Sequence, residues 1–251
     1  GDHATYHLHY NAPLTSDAAG VARPMSDWVR VSQSERDLAQ AGAELDRLIA
    51  LANRYPGIVF SVAVGNEATV DWTDHYVPVA QMVAYVRRVK AAVRQPVTFC
   101  ENYVPWQHKL RDLVPELDFI SLHTYPVWEY KHIHEALDYT KDNIASVAQR
   151  HPGKPIVITE AGWCTNSNGR GMHAEHAVQE LQAAYYQDLM DWTRAEGLLC
   201  FVFEAFDEQW KGSPDPLEPE KHWGLFTADR RPKLVVQPLY PDLLPAAGAV
   251  L

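Results

Sequence analysis

From Ser34 onward the chain alternates between two apolar rhythms, and that alternation limits its fold more than any other feature. Short runs rich in β-branched and aromatic residues end at Val64, Cys100, His123, Thr159 and Phe203. Such runs have the length and composition of buried strands. Between them, apolar residues recur at helical spacing. Leu38, Ala41, Leu45, Leu48, Ile49 and Ala52 form one stripe, and Val79, Met82, Val83, Val86, Val89 and Val93 another. Ser34-Glu35-Arg36-Asp37 resembles a capping box before the first stripe, and Pro56-Gly57 stops it. Further helices are predicted over about 132–149 and 174–195. Strands that alternate with helices predict a parallel α/β fold.

The chain has 251 residues, the usual size of one TIM (β/α)8 barrel. Five strands are predicted from Ile58 onward, so a full barrel needs three more before it. Each parallel crossover takes a dozen or more residues. The predicted helix from Ser34 leaves only 1–33 for those strands, so the barrel is expected to be short or incomplete at its N-terminal βα units. Within 1–33, Thr5–Tyr10 and Met25–Val31 have strand character, and Asn11–Pro24 has the composition of loop. From Lys233 an apolar tail with Pro238, Pro241 and Pro245 is expected to wrap the surface. The reading is one domain over 1–251, with 1–33 irregular and 233–251 a tail.

Composition excludes several function classes. Net charge is −10 and no Lys/Arg patch is present, which argues against nucleic acid as a partner. No apolar run reaches membrane-span length. No signal peptide is visible, and the location is open, leaning to secreted or periplasmic. Three cysteines, Cys100, Cys164 and Cys200, exclude a fully paired disulfide framework. Cys164 is expected to line the cleft. His7 and His9 would share one strand face, but the twelve histidines are scattered and no HExxH or CxxC pattern occurs. No metal or cofactor is expected. There is no phosphate-binding glycine loop and no GxSxG elbow.

The chemistry concentrates where strands end. Ile58–Val64 runs into Gly65-Asn66-Glu67, and Ile156-Val157-Ile158-Thr159 runs into Glu160-Ala161-Gly162-Trp163. A Glu after a strand can simply open the next helix. Two of them, at equivalent places in one α/β chain, supply what retaining glycoside cleavage needs. One carboxyl protonates the leaving oxygen and the other attacks the sugar carbon, with ~5–5.5 Å between them. Glu101, Asn102, His123 and Tyr125 also fall at strand ends. They are candidates for sugar-hydroxyl contacts or for orienting the glutamates. Six of the eight tryptophans, including Trp128, Trp163, Trp210 and Trp223, follow strands, as cleft walls for flat sugar faces would. Core packing accounts for a share of them. Glu208 and Lys211 lie in the segment after the last strand, where a Lys can hold a carboxylate ionised.

Four motifs, Val64-Gly65-Asn66-Glu67, Ile158–Trp163, Phe203–Lys211 and His222–Phe226, together resemble glycoside hydrolase family 17 over roughly 34–240. The resemblance implies a TIM barrel and retaining chemistry on β-1,3-linked glucan, as hydrolysis or glucanosyl transfer. It implies Glu67 as acid/base and Glu160 as nucleophile. It matches Glu208 and Lys211 to a supporting pair after the last strand, and Tyr125 to an aromatic after the sixth. The chain departs from the family at its N-terminus, where the first two strands find no match. The alternative reading is therefore a weakened or inactive β-glucan-binding barrel lacking its first βα units. A second copy, as in a homo-oligomer, or an N-terminal strand is expected to cover the sheet edge so exposed.

Overall fold

The computed structural model describes residues 15–16, 22–23, 35–73 and 75–244. These fall into two compact units, the described parts of Asp2–His123 with Ile144–Thr159, and those of Thr124–Asn143 with Glu160–Leu251. The strands expected at 5–10 and 25–31 lie outside the described residues, and so does most of the region where missing βα units were expected. Within 11–24, read as loop, β1 (Thr15–Ser16) pairs antiparallel with β2 (Ala22–Arg23).

In the first unit α1 (Glu35–Arg54) and α2 (Val79–Lys90) alternate with β3 (Val62–Asn66) and β4 (Val97–Asn102). A short α3 (Tyr103–Gln107) follows, then β5 (Ile120–Thr124). Every residue of β3 and β5 is buried, as strands covered on both faces require. Helix α2 buries Met82, Tyr85, Val86 and Val89, one face of a 3.6-residue period, and keeps Arg87, Arg88 and Lys90 in its last turn. Those cations complement the negative end of the helix dipole. Trp106 on α3 is fully buried, and its indole N–H lies 3.0 Å from the Ser121 carbonyl and 3.2 Å from that of Glu101. It is a core residue.

Strands β3 and β4 pair in parallel, as do β4 and β5, and β6 (Ile156–Ala161) and β7 (Cys200–Val202) follow in the order β3-β4-β5-β6-β7. The five-stranded sheet alternating with helices is the parallel α/β architecture expected. The register of β3 against β4 is broken in one place. Ala63 faces Thr98 but Asn66 faces Cys100, so β3 carries one extra residue just before its end. A bulge of this kind bends the strand and re-aims the side chains beyond it.

The second unit is organised by α5 (Gln179–Glu196), which ends at Gly197 with φ +65°. α4 (Ile133–Arg150) contributes its first turns. Thr140 on α4 lies 2.9 Å from the Tyr185 hydroxyl on α5. Gln182, fully buried on α5, donates to the Trp163 carbonyl at 2.8 Å and reaches those of Trp223 and Gly224. One amide thereby ties the segments after β6 and after β7 to the same helix. The tail enters through Lys233, whose buried ammonium meets Asp207 at 2.7 Å. Val235 and Val236 are fully buried at the start of the short α6 (Val236–Leu239). The tail therefore begins inside the core, beyond the surface role expected of it.

Candidate active site

The first group of site residues stands on β3, β4 and β5. The β3 bulge ends in Gly65, at φ +87°. A Cβ there would stand 3.1 Å from Met82 Cε and 3.2 Å from Phe99 Cε2, so both backbone angle and packing call for glycine. Glu67, two residues on, has φ +44° while its N–H donates to the Cys100 carbonyl at 2.9 Å. A non-glycine residue in this region costs on the order of 1–3 kcal/mol, and such residues gather at functional sites. The half-buried Glu67 carboxylate lies 3.0 Å from Nδ1 of His123, which β5 holds in full burial.

Glu101, at the end of β4, is fully buried and tied down by donors. Thr69 gives its backbone N–H at 2.9 Å and its hydroxyl at 2.6 Å to one carboxyl oxygen, and the Asn102 N–H reaches the other at 2.8 Å. Burial first, then the charge of Glu67, push the Glu101 carboxyl up to about 7. Its position suits orienting and electrostatic tuning of Glu67. Asn102 caps α3 by accepting from the Val104 N–H at 3.0 Å. Asn66 is buried, and its carbonyl accepts from His75 Nε2 at 3.1 Å. Its side-chain oxygen has no hydrogen-bond partner among the described residues.

The second group is built around Glu160, near the end of β6 and 5% exposed. Tyr125, just past β5, donates its phenolic hydrogen to Glu160 Oε2 at 2.6 Å. The Tyr125 ring is held edge-on by Trp223 at 5.1 Å and by Phe203 at 5.9 Å. Gly162 makes this packing fit. A Cβ at that position would stand 2.5 Å from the Phe203 carbonyl oxygen and 3.2 Å from the Tyr125 ring.

Lys211 bridges two carboxylates, Glu204 at 2.6 Å and Glu208 at 2.9 Å, and lies over the Phe203 ring. Glu204 is the residue that sequence reasoning did not single out. It ends the β7 run as Glu160 ends β6, so the same strand-then-Glu pattern carried the signal. Burial pushes its carboxyl up to about 8, with Lys211 opposing.

The tryptophans divide. Trp210 is exposed, and Trp128 is half-buried with its ring 5.5 Å from that of Trp223. Trp163 and Trp223 are buried, and the Trp163 N–H donates to the His176 carbonyl at 2.8 Å. Cys164, expected to line the cleft, is instead buried against Met172 with Sγ and Sδ 3.1 Å apart. Burial pushes its thiol up to about 12, so it is no thiolate nucleophile.

Carboxyl groups at the ends of parallel strands, each held by a side-chain donor, fit a glycosidase-type α/β protein. Residues 14–224 match the family profile described as the BtgE/BtgC glycoside hydrolase domain, and the chain belongs to that family. A glucan 1,3-beta-glucosidase of Arthroderma benhamiae is 31% identical over 126 residues, covering 46% of this chain and 41% of that protein. One of Schizosaccharomyces pombe is 25% identical over 142 residues, covering 54% and 43%. The chain thus matches about two fifths of the length of these relatives. An endo-laminarinase from Formosa Hel1_33_131 superposes with TM-score 0.72 and 28% identity, over 92% of this chain and 68% of that one. A glycoside hydrolase family 17 beta-1,3-glucanosyltransferase from Rhizomucor miehei gives TM-score 0.62 at 24% identity, over 77% and 71%, a likeness of fold alone. The resemblance to family 17 drawn from the motifs holds. Among the described residues no helix is long and apolar enough to cross a membrane.

Proposed function

We propose that the chain is a retaining glycoside hydrolase or transglycosylase acting on β-1,3-linked glucan. The observation that carries the reading is the Tyr125–Glu160 hydrogen bond at 2.6 Å, in a chain of this family. A phenol donating to a carboxylate favours its ionised form, as a nucleophile needs. Glu160 attacks the anomeric carbon, and the Tyr125 hydroxyl follows the oxygen it releases from charge. Glu67 gives its proton to the departing oxygen and then takes one from the incoming water or sugar hydroxyl. His123 fixes the Glu67 carboxyl, and buried Glu101 sets the charge around it. Asn66, with an unpartnered buried amide oxygen, takes the sugar 2-hydroxyl, a contact that strengthens in the transition state. Exposed Trp210 and half-buried Trp128 offer faces for sugar rings, and buried Trp223 backs Trp128. Lys211 and Glu208 steady the segment after β7. A substrate of this kind favours a secreted or periplasmic location.

The reading as an inactive glucan binder is less favoured. A binder has no use for a strained Glu67 backbone and a nucleophile held by a phenol. The deciding experiment incubates the chain with laminari-oligosaccharides and follows the first product by NMR. A β-anomer formed first, or a longer β-1,3-linked product from transfer, supports the reading. An α-anomer formed first, or no turnover at all, overturns it.

A further inference from the structure

Four histidines, scattered in sequence, converge in the second unit. His132 just precedes α4 and His134 lies in its first turn, while His173 precedes and His176 ends a 3-10 turn (Ala174–His176) before α5. The rings of His132 and His176 are 4.7 Å apart, those of His173 and His176 5.1 Å, and those of His132 and His173 5.8 Å. His134 stacks on His132 at 5.6 Å. His132, His134 and His173 are exposed and His176 half-buried, so the convergence fills no core.

These separations have a chemical meaning. A tetrahedral zinc ion takes imidazole nitrogens at about 2.0–2.1 Å, which puts the ring centres about 3.2 Å from the ion and roughly 5 Å from one another. The His132, His173 and His176 ring centres stand near that spacing, but the His132 and His173 planes lie 18° from parallel, so one of these rings has to turn before both nitrogens face one ion. His132 and His173 are exposed, so a turn about their side-chain bonds meets solvent and not core packing.

The backbone on both sides is held in place. The His176 carbonyl accepts from buried Trp163, and Met172 and Ala177 are buried on either side of the turn. On the other segment Tyr130 adopts φ +55° and sets its ring edge-on to His173 at 5.3 Å. The His132 N–H is held by Glu135 at 3.1 Å. Glu175, 3.8 Å from His173 Nδ1, supplies nearby negative charge.

We propose that His132, His173 and His176 form a surface site for a divalent transition-metal ion of the zinc type, with His134 or water in the fourth position. Imidazole ligands suit zinc, nickel and copper, and they discriminate against magnesium and calcium, which prefer oxygen. A bound ion would join the segment after β5 to the segment after β6. The same two segments already meet where Gly171 packs on Trp128, since a Cβ at Gly171 would stand 2.8 Å from that ring.

The test is calorimetric titration of the untagged full chain with zinc chloride, with magnesium chloride as control, repeated on His132→Ala/His176→Ala. The expected result is one tight zinc equivalent per chain, no magnesium binding, and at least a ~10-fold loss of zinc affinity in the double variant. Cobalt added to the unaltered protein should give the intense visible bands of a four-coordinate ion, a readout independent of how the variant folds. Zinc binding of equal strength in a folded double variant overturns the proposal. So does the weak spectrum of hexa-aqua cobalt on the unaltered chain.

Discussion

The Tyr125 hydroxyl stands 2.6 Å from Glu160 Oε2, joining the residue after β5 to the carboxylate near the end of β6. The contact exists because Trp223 and Phe203 hold the Tyr125 ring and Gly162 leaves room for it. A hydrogen bond to a charged group contributes about 1.5–3 kcal/mol. Tyr125→Phe is therefore expected to lower kcat on laminari-oligosaccharides roughly 10- to 100-fold, with a smaller change in KM. Steady-state kinetics on the folded variant check this, and an unchanged kcat would remove Tyr125 from the mechanism.

The two glutamates are separable by chemical rescue. Glu160→Ala should abolish turnover on an activated aryl glucoside, and added azide should restore it as the α-glycosyl azide. Glu67→Ala should keep activity on substrates whose leaving group needs no proton, with azide giving the β-product. Product stereochemistry by NMR reads out both. Near-normal turnover of Glu160→Ala on β-1,3-glucan without azide would show the nucleophile to be another residue.

Glu101 is the electrostatic neighbour of Glu67. Removing its titratable charge in Glu101→Gln leaves Glu67 easier to ionise, so the proposed general acid loses its proton at lower pH. The basic limb of the kcat/KM profile is expected to move to lower pH, while the Thr69 contacts keep the glutamine in place. A limb that stays fixed would mean the two groups are uncoupled in solution.

Glu204 links stability to pH. Its folded carboxyl is pushed up to about 8 by burial, while an unfolded glutamate titrates near 4.3. The folded state then binds the extra proton, so its stabilising effect is complete at low pH and is lost as pH rises through about 8. Thermal melts from pH 5 to 8.5 should show stability falling across that window. Glu204→Gln should flatten the decline, and an equally steep fall in the variant would count against it.

Gly162→Ala places a methyl 2.5 Å from the Phe203 carbonyl oxygen. Backbone has to move, and overpacking of this sort costs roughly 1–3 kcal/mol. A lower melting temperature is expected, together with a loss of activity as Tyr125 is displaced. Unchanged melting and kinetics would show the strand end to be more pliable than its packing implies.

What the sequence alone determined is local and periodic. Alternating β-branched runs and helical stripes specified the parallel sheet, because burial on both faces leaves no other composition for its strands. Pro56-Gly57 ended α1 near Arg54, as turn-forming residues do. The strand-end positions of Glu67 and Glu160 were legible because an apolar strand tolerates a carboxylate only near where it emerges. Tertiary structure decided everything that depends on which distant side chains meet. Trp163 and Trp210 follow strands alike, yet one is buried beneath α5 and the other exposed, since burial is set by what packs over a residue. Lys211 resembled any surface lysine until Glu204 and Glu208 closed on it, and Cys164 resembled a cleft residue until Met172 covered it. The histidines show the same limit. His132 and His176 are far apart along the chain and adjacent in space, and no spacing pattern encodes a contact made by two separate segments of one fold.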